Sequence, residues 1–377
     1  MRIFAASLSF VLLFTACSHS RAVRTKEPVL QRGWSFVEDE RDFLRQEAGV
    51  GQVTYSAPVL ASEKLLFGSE RFGITALAKR NGRILWQHRI ADGVAAQPYA
   101  DESSVYVGSE SGTLRKFEIN SGRLVWESAL SGPVHGAMIH AFQRLFVGTE
   151  DEALHAVDMA TGKILWTYRR PAFNNTSIKG GGNPSAIAGK IWIGFSDGAL
   201  VSLNPETGAV DSEKIYRDNL KFMDVDARVV GWKDGLLVTT YDGKLRHTRR
   251  DGNIIWEFPA GGARAPLVTD GEVIYFPSSE GTIYAIGAKG QELWRYTLRR
   301  GVPSGLGLVV RNGRRVLVAT STEDKVYALD ASDGSLLGQS GLGRGSGSFA
   351  PVAIDEQTGS VYVLSNYSRV HEFRLNL

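Results

Sequence analysis

Apolar residues of this chain are grouped in short runs that end at glycine. Examples are Leu65-Leu66-Phe67-Gly68, Val105-Tyr106-Val107-Gly108 and Leu145-Phe146-Val147-Gly148. Such runs of β-branched and aromatic residues, bounded by turn residues, favour strands. Outside the N-terminal segment, no stretch keeps apolar residues at the 3.6-residue spacing of a helix. We therefore predict an all-β protein.

A second pattern joins a glycine turn to a strand that presents a tryptophan. Residues 156–166 show it most fully, with the sequence Ala-Val-Asp-Met-Ala-Thr-Gly-Lys-Ile-Leu-Trp. Related turns occur at seven glycines, 38 to 46 residues apart: Gly82, Gly122, Gly162, Gly208, Gly252, Gly290 and Gly334. This spacing is the period of a four-stranded propeller blade.

The C-terminal residues predict three strands of a further blade. They lie at Pro351 to Ile354, Ser360 to Leu364 and Arg369 to Phe373, and the run Trp34 to Val37 can supply the fourth. Pairing of the two chain ends would close the ring and protect its edges. We predict an eight-bladed β-propeller of four-stranded antiparallel blades over residues 34–377, with the last blade closed by the N-terminal strand. Seven blades with the tail outside the ring is the alternative.

Five tryptophans follow the glycine turns and are predicted to be structural. A tryptophan is large and flat, so it can fill the seam between neighbouring blades. Asp158 can cap the backbone amides of its turn, as short acidic side chains do. The predicted seam residues are Trp86, Trp126, Trp166, Trp256 and Trp294.

The first residues have the features of a secretory signal. Arg2 precedes an apolar run from Ile3 to Ala16, which is shorter than the roughly 20 residues that span a bilayer. Phe14-Thr15-Ala16-Cys17 resembles a bacterial lipobox. The resemblance implies a signal peptide at 1–16, acylation of Cys17, a tether at 17–33 and, with Ser18 following, the periplasmic face of the outer membrane. An ordinary cleavage site beside an unrelated cysteine is the alternative.

Charge and composition weaken several function classes. The net charge is +3 and no run of lysine or arginine forms a stripe, so we expect no nucleic-acid partner. A single cysteine allows no intrachain disulfide. His135 and His140 are five residues apart, which places them on opposite sides of a strand and argues against a metal pair.

The pattern Ala-x-Asp-x-x-Thr-Gly-x-x-x-Trp resembles the repeat of quinoprotein propellers, known as the PQQ-like repeat. Many propellers with this repeat bind no quinone. Quinoprotein dehydrogenases usually carry a vicinal cysteine pair, which one cysteine cannot form, and they are considerably longer. We therefore expect no cofactor and no enzymatic activity.

Two stretches around the fourth repeat resemble the BamB family, the lipoprotein propeller subunits of the β-barrel assembly machinery. One is Thr176-Ser177-Ile178-Lys179-Gly180 with Pro184; the other is Asp224-Val225-Asp226. Family loops at these places contact a POTRA domain of the barrel subunit BamA. The resemblance implies partner-binding roles for Thr176, Ile178, Lys179, Asp224 and Asp226. Thr176 and Lys179 stand where the family has leucine and arginine, and lysine cannot reproduce the forked contact of arginine.

The resemblance implies a non-catalytic scaffold that docks on POTRA domains of a BamA-type protein and assists insertion of outer-membrane β-barrels. Its implied partners are BamA and other assembly-machinery subunits, unfolded clients and the membrane, with the protein itself monomeric. The alternative function is a PQQ-like-repeat envelope lipoprotein that binds a glycan or another envelope protein. Ordinary interblade connections and turn capping are the structural alternatives for the two stretches.

Overall fold

The computed structural model describes residues 29–38, 56–171, 182–216, 225, 227–240, 243–259, 261–262, 265–343 and 345–377. Within these ranges the chain forms 32 strands and no helix. The strands make eight antiparallel sheets of four strands each. The predicted eight-bladed all-β propeller is confirmed, and the seven-bladed alternative is wrong. No helix that could span a bilayer occurs in the described part of the chain.

The first strand, β1, precedes the regular blades, and four blades follow it. The strands are β1 (Leu30–Val37); β2 (Val59–Ala61), β3 (Lys64–Ser69), β4 (Gly73–Ala78) and β5 (Ile84–His88); β6 (Tyr99–Ala100), β7 (Ser104–Gly108), β8 (Thr113–Glu118) and β9 (Leu124–Ala129); β10 (Ile139–Ala141), β11 (Arg144–Thr149), β12 (Ala153–Asp158) and β13 (Ile164–Arg169); β14 (Ser185–Ile187), β15 (Lys190–Gly194), β16 (Ala199–Leu203) and β17 (Val210–Ile215).

Three further blades and the last three strands complete the ring. They are β18 (Val230–Trp232), β19 (Gly235–Thr240), β20 (Lys244–Arg249) and β21 (Ile254–Pro259); β22 (Val268–Thr269), β23 (Ile274–Pro277), β24 (Thr282–Ile286) and β25 (Glu292–Thr297); β26 (Pro303–Arg311), β27 (Arg314–Ser321), β28 (Lys325–Asp330) and β29 (Leu336–Gly341); β30 (Ala353–Asp355), β31 (Ser360–Ser365) and β32 (Arg369–Leu375).

The eighth blade joins the two ends of the chain, as predicted. Strand β1 pairs antiparallel with β32, from Leu30 opposite Leu375 to Val37 opposite Arg369. The closing strand begins at Leu30 and is therefore longer than the predicted run from Trp34. Leu30 is buried in the hydrophobic cluster between the seventh and eighth blades. Residues 30–33 thus belong to the closing strand, although the sequence analysis assigned them to the tether.

Eight hydrophobic clusters hold the ring together, one at each seam between neighbouring blades. The second and third strands of a blade have seams on both sides, so strands such as β11 are apolar and buried nearly throughout. The outermost strands alternate between exposed and partly buried residues, as β13 does. Seam burial therefore explains why the inner strands read as continuous apolar runs.

The antiparallel order of the strands gives the ring two distinct faces. We call one the turn face; it carries the turns between the first and second and between the third and fourth strands of each blade. The other, the connection face, carries the turns between the second and third strands and the connections from one blade to the next. Leu30 lies at the turn face, because β1 runs from there to the connection face.

Candidate partner-binding site

Each of the five predicted seam tryptophans lies against a turn of the following blade. In each case the indole N–H donates to a backbone carbonyl of that turn, at 2.9 to 3.3 Å. The ring also covers the turn glycine, so a Cβ on Gly162 would lie 2.7 Å from Trp126. The donor and acceptor residues are Trp86–Ile119, Trp126–Met159, Trp166–Pro205, Trp256–Ala288 and Trp294–Ala331.

Hydrogen bonds from backbone N–H groups to a side-chain oxygen shape the turn under each tryptophan. In the third blade, Asp158 Oδ1 accepts from the N–H of Ala160 at 3.1 Å and from the N–H and hydroxyl of Thr161, both at 2.7 Å. The hydrogen bonds from Thr161 lower the pKa of the Asp158 carboxyl. The acidic residue of the repeat therefore fixes the turn on which the tryptophan rests.

Trp34 makes the same contact across the ring closure, a role that the sequence analysis missed. Its Nε1 donates to the carbonyl of Lys79 at 3.0 Å, and its ring covers Gly82. The missed signal was the turn at Gly82, since no earlier blade could provide a tryptophan to cover it. The N-terminal strand therefore carries a seam tryptophan of its own.

The seam between the fourth and fifth blades is built differently. Ser212 occupies the tryptophan position, and its hydroxyl lies 2.7 Å from that of Ser202. The stem of Lys214 covers Gly252 in place of a ring, and the hydroxyl of Tyr216 donates to the Gly252 carbonyl at 3.4 Å. The two stretches that the sequence analysis nominated for partner binding, around Thr176 and around Asp224, come before and after this blade in the chain. Both therefore flank the blade at which the repeat departs from its pattern.

The nominated connections are residues 170–184, between the third and fourth blades, and residues 216–229, between the fourth and fifth. Both belong to the connection face. The side chains that the sequence analysis nominated for lipidation or partner binding lie outside the described residues: Cys17, Thr176, Ile178, Lys179, Asp224 and Asp226. The described residues that flank the last five define the surroundings of the site.

Val225, between the two nominated aspartates, is buried in the seam between the fourth and fifth blades. Its N–H donates to the carbonyl of Phe195 at 3.2 Å, and a Cβ on Gly194 would lie 2.4 Å from its side chain. Val94 and Val134 make the same contacts at two earlier seams. The middle residue of Asp-Val-Asp therefore occupies a packing position that recurs around the ring.

Residues at the end of the first nominated connection bind both of its neighbours. Asn183 Oδ1 accepts from the N–H of Ala137, 2.8 Å away in the preceding connection. The carbonyl of Pro184 accepts from Arg228 Nε, 3.3 Å away in the following connection. These bonds link three successive connections, so the described C-terminal ends of the two nominated ones lie next to each other.

Arg170 lies at the start of the first nominated connection and closes the seam to the fourth blade. Its buried guanidinium donates to Asp197 Oδ2 from Nε at 2.9 Å and from Nη2 at 2.7 Å, and to Glu213 Oε1 at 3.0 Å. Burial opposes the charge of Arg170, but the hydrogen bonds that it donates to these carboxylates raise its pKa overall. This ion cluster is satisfied within the protein and positions the connection. Sequence reasoning missed it, because the three residues are far apart in the chain.

The histidines do not form a metal site in the described part of the chain. His135 Nε2 lies 2.8 Å from Glu110 Oε2, whereas His140 is exposed beside the ring of Tyr99. Among the described residues, no three His, Cys, Asp or Glu side chains are placed to hold a metal ion.

Structures similar to this propeller include proteins of different kinds. The crystal structure of BamB from Moraxella catarrhalis has a TM-score of 0.73 at 18% identity, and the match covers 92% of this chain and 100% of that one. Quinohemoprotein alcohol dehydrogenase from Comamonas testosteroni has a TM-score of 0.71 at 15% identity, covering 92% of this chain and 76% of that one. At these identities the likeness shows the fold alone.

Sequence comparison is more specific. The chain is 23% identical over 207 residues to the outer membrane protein assembly factor BamB of Legionella pneumophila (strain Paris). That match covers 53% of this chain and 52% of the relative, so it spans about half the length of the relative. The model of the family described as outer membrane protein assembly factor BamB matches residues 70–289 and 279–373. Since these matches extend over most of the propeller, the chain belongs to the BamB family of outer membrane protein assembly factors.

Proposed function

We propose that this protein is a non-catalytic scaffold of the β-barrel assembly machinery. It docks on the POTRA domains of a BamA-type protein and assists insertion of outer-membrane β-barrel proteins. The observation that carries this proposal is the family match from residue 70 to residue 373. A closed ring, in which the two nominated connections begin and end on the same face, is suited to holding a partner domain in a fixed position.

The proposed docking site is formed by the two nominated connections. Thr176, Ile178 and Lys179 would contribute from the first, and Asp224 and Asp226 from the second. The buried position of Val225 supports this assignment, because it fixes the chain between the two aspartates at the seam of the fourth and fifth blades. Two carboxylates flanking one anchor suit a basic patch on the partner.

We further propose that residues 1–16 are a signal peptide and that Cys17 carries the lipid anchor at the periplasmic face of the outer membrane. Twelve residues lie between Cys17 and Leu30, so an extended chain places the two at most about 45 Å apart. Because Leu30 lies at the turn face, the anchor would join the ring on the side opposite the nominated connections. Those connections would then be turned toward a partner in the periplasm.

The alternative function is that of an envelope lipoprotein that binds a glycan or another envelope protein. The experiment that distinguishes this function from docking measures binding of the full mature chain to purified POTRA domains of a BamA-type protein. We expect the wild type to bind, and the double variant Asp224→Arg/Asp226→Arg to bind at least tenfold more weakly because it reverses both charges.

The control for this experiment is Asp234→Arg/Glu272→Arg, which makes the same charge change at exposed residues on the turn face. It should bind as the wild type does. A folded wild type that fails to bind any POTRA domain would refute the docking proposal.

Lipidation is tested separately with globomycin, which blocks lipoprotein processing. Processing that continues unchanged would show that an ordinary signal peptidase cleaves the N-terminal segment.

A further inference from the structure

Arg228 differs from the other buried arginines of this ring. Arg170 and Arg246 lie in the core of the ring, and each donates to at least one carboxylate at 3.0 Å or less. Arg228 is also partly buried, but within the described residues it donates to the carbonyl of Pro184, and from Nε alone. No carboxylate of the described chain forms an ion pair with it.

Burial without a counter-charge from the described part of the chain is unfavourable for the Arg228 guanidinium. Desolvation is the cause of the lowered pKa of Arg228, whereas the pKa of Arg170 is raised by its carboxylate partners despite burial. Arginine stays charged in proteins at neutral pH, so the cost is not relieved by loss of a proton. An external anion would relieve it.

Packing and one hydrogen bond hold Arg228 in place. Its flanking residues Ala227 and Val229 are buried in the ring, and Nε is held by Pro184 of the neighbouring connection. Among contacts within the described residues, the two Nη nitrogens are the donors of this guanidinium that remain. Their planar arrangement matches the two oxygens of a carboxylate.

We propose that Arg228 is a partner-binding residue that receives an acidic side chain of the docked protein at the junction of the two nominated connections. This inference rests on the proposed docking function and adds to it. The partner surface would then carry an acidic residue for Arg228 and basic residues for Asp224 and Asp226. A mixed epitope of this kind fixes orientation, because a rotated partner would bring like charges together.

The test compares three forms of the mature chain in binding to the same POTRA domains. Arg228→Glu should bind about thirtyfold or more weakly than wild type, the loss expected for an interfacial arginine with a desolvated partner. Arg228→Gln, which keeps a polar side chain but no charge, guards against a folding defect and should also bind weakly. Arg299→Glu is the matched control, since Arg299 is an exposed arginine of another connection on the same face. It should bind as wild type does.

The outcomes separate this inference from the docking function. If the wild type binds and Arg228→Glu and Arg228→Gln bind equally well, Arg228 makes no contact and the inference fails while docking stands. If Arg299→Glu weakens binding as much as Arg228→Glu, the effect is that of overall charge and the inference also fails. If the wild type does not bind, both fail together. Improved binding of Arg228→Glu to a POTRA variant in which one surface Glu or Asp is replaced by Lys would identify the acidic residue.

Discussion

Trp34 donates its indole N–H to the backbone carbonyl of Lys79, 3.0 Å away, and this bond joins residues from the two sides of the ring closure. The same bond recurs at five seams between blades that are adjacent in sequence. At the closure, however, the first strand is held by β32 on one side and by this contact on the other. The ring closure therefore contains the same contact between a tryptophan and a turn as the seams between the other blades.

Replacing Trp34 with alanine should open the closure. We expect Trp34→Ala to lower the free energy of unfolding by about 3 kcal/mol, since it removes a large, partly buried side chain. Hydrogen exchange should become faster in β1 and β32. Trp86→Ala is the matched control, because Trp86 makes the equivalent bond within the ring. Equal rates of hydrogen exchange in β1 of both variants would show that closure does not depend on Trp34.

The indole N–H of Trp34 should matter less than its ring. The hydroxyl of Tyr362 also donates to the Lys79 carbonyl, at 3.3 Å, so that carbonyl keeps a partner when the indole is lost. We expect Trp34→Phe to cost about 1 kcal/mol in urea unfolding, the usual net value of one hydrogen bond. A loss as large as that of Trp34→Ala would assign the main role to the N–H.

Gly162 is needed for two separable reasons. Its φ of 76° is unfavourable for other residues, and a Cβ would lie 2.7 Å from the ring of Trp126. Gly189 has a φ of 78° but nothing within 4 Å of a Cβ position. We expect Gly189→Ala to cost about 1–2 kcal/mol for the left-handed backbone alone. Gly162→Ala should cost about 1–3 kcal/mol more, because the added methyl group overpacks the seam. Equal losses of unfolding free energy would contradict a steric role for the tryptophan.

The sequence was sufficient to predict the ring because the repeat is periodic and local. Glycine turns, apolar runs and the unpaired strand at Trp34 each follow from the order of residues, and together they predicted eight blades and the closure. Arg170 with Asp197 and Glu213 could not be predicted, since these side chains meet only when two blades pack. The same holds for Arg228 and Pro184, which are 44 residues apart. Charged residues that meet across a seam have no characteristic spacing in the sequence, so their contacts cannot be predicted from it.

Val225 and its two neighbours should respond differently to mutation. Val225 is 1% exposed and packs in the seam, so Val225→Ala should lower the free energy of unfolding by about 2 kcal/mol through the cavity it leaves. If the two aspartates act in docking, as proposed, Asp224→Ala and Asp226→Ala should change the free energy of unfolding by less than about 0.5 kcal/mol. They should instead weaken binding to POTRA domains. Urea unfolding measures the effect on stability, and calorimetry measures the effect on binding. A loss of unfolding free energy in the aspartate variants as large as that of Val225→Ala would assign Asp224 and Asp226 a structural role.

His371 should make the closure sensitive to acid. Its ring is buried in the eighth blade, where Nδ1 lies 2.7 Å from Arg32 Nη2 and 3.0 Å from Ser35 Oγ, while Nε2 lies 3.2 Å from Ser365 Oγ. Burial, together with the charges of Arg32 and Arg369, lowers the pKa of His371 from 6.5 to about 3. The folded protein therefore holds this ring neutral over a range of pH in which an unfolded chain would protonate it.

Stability should then fall as the pH drops from 6.5 toward 3, because the unfolded state binds a proton at His371 that the folded state excludes. One such proton contributes a slope of at most about 1.4 kcal/mol for each pH unit. Burial also lowers the pKa values of His155 and His247, so they add to the same trend. We expect His371→Gln to reduce the slope of unfolding free energy against pH by more than the control His140→Gln, at an exposed histidine. An unaltered slope in His371→Gln would mean that the closure tolerates a charged ring, and that the loss of stability in acid arises elsewhere in the propeller.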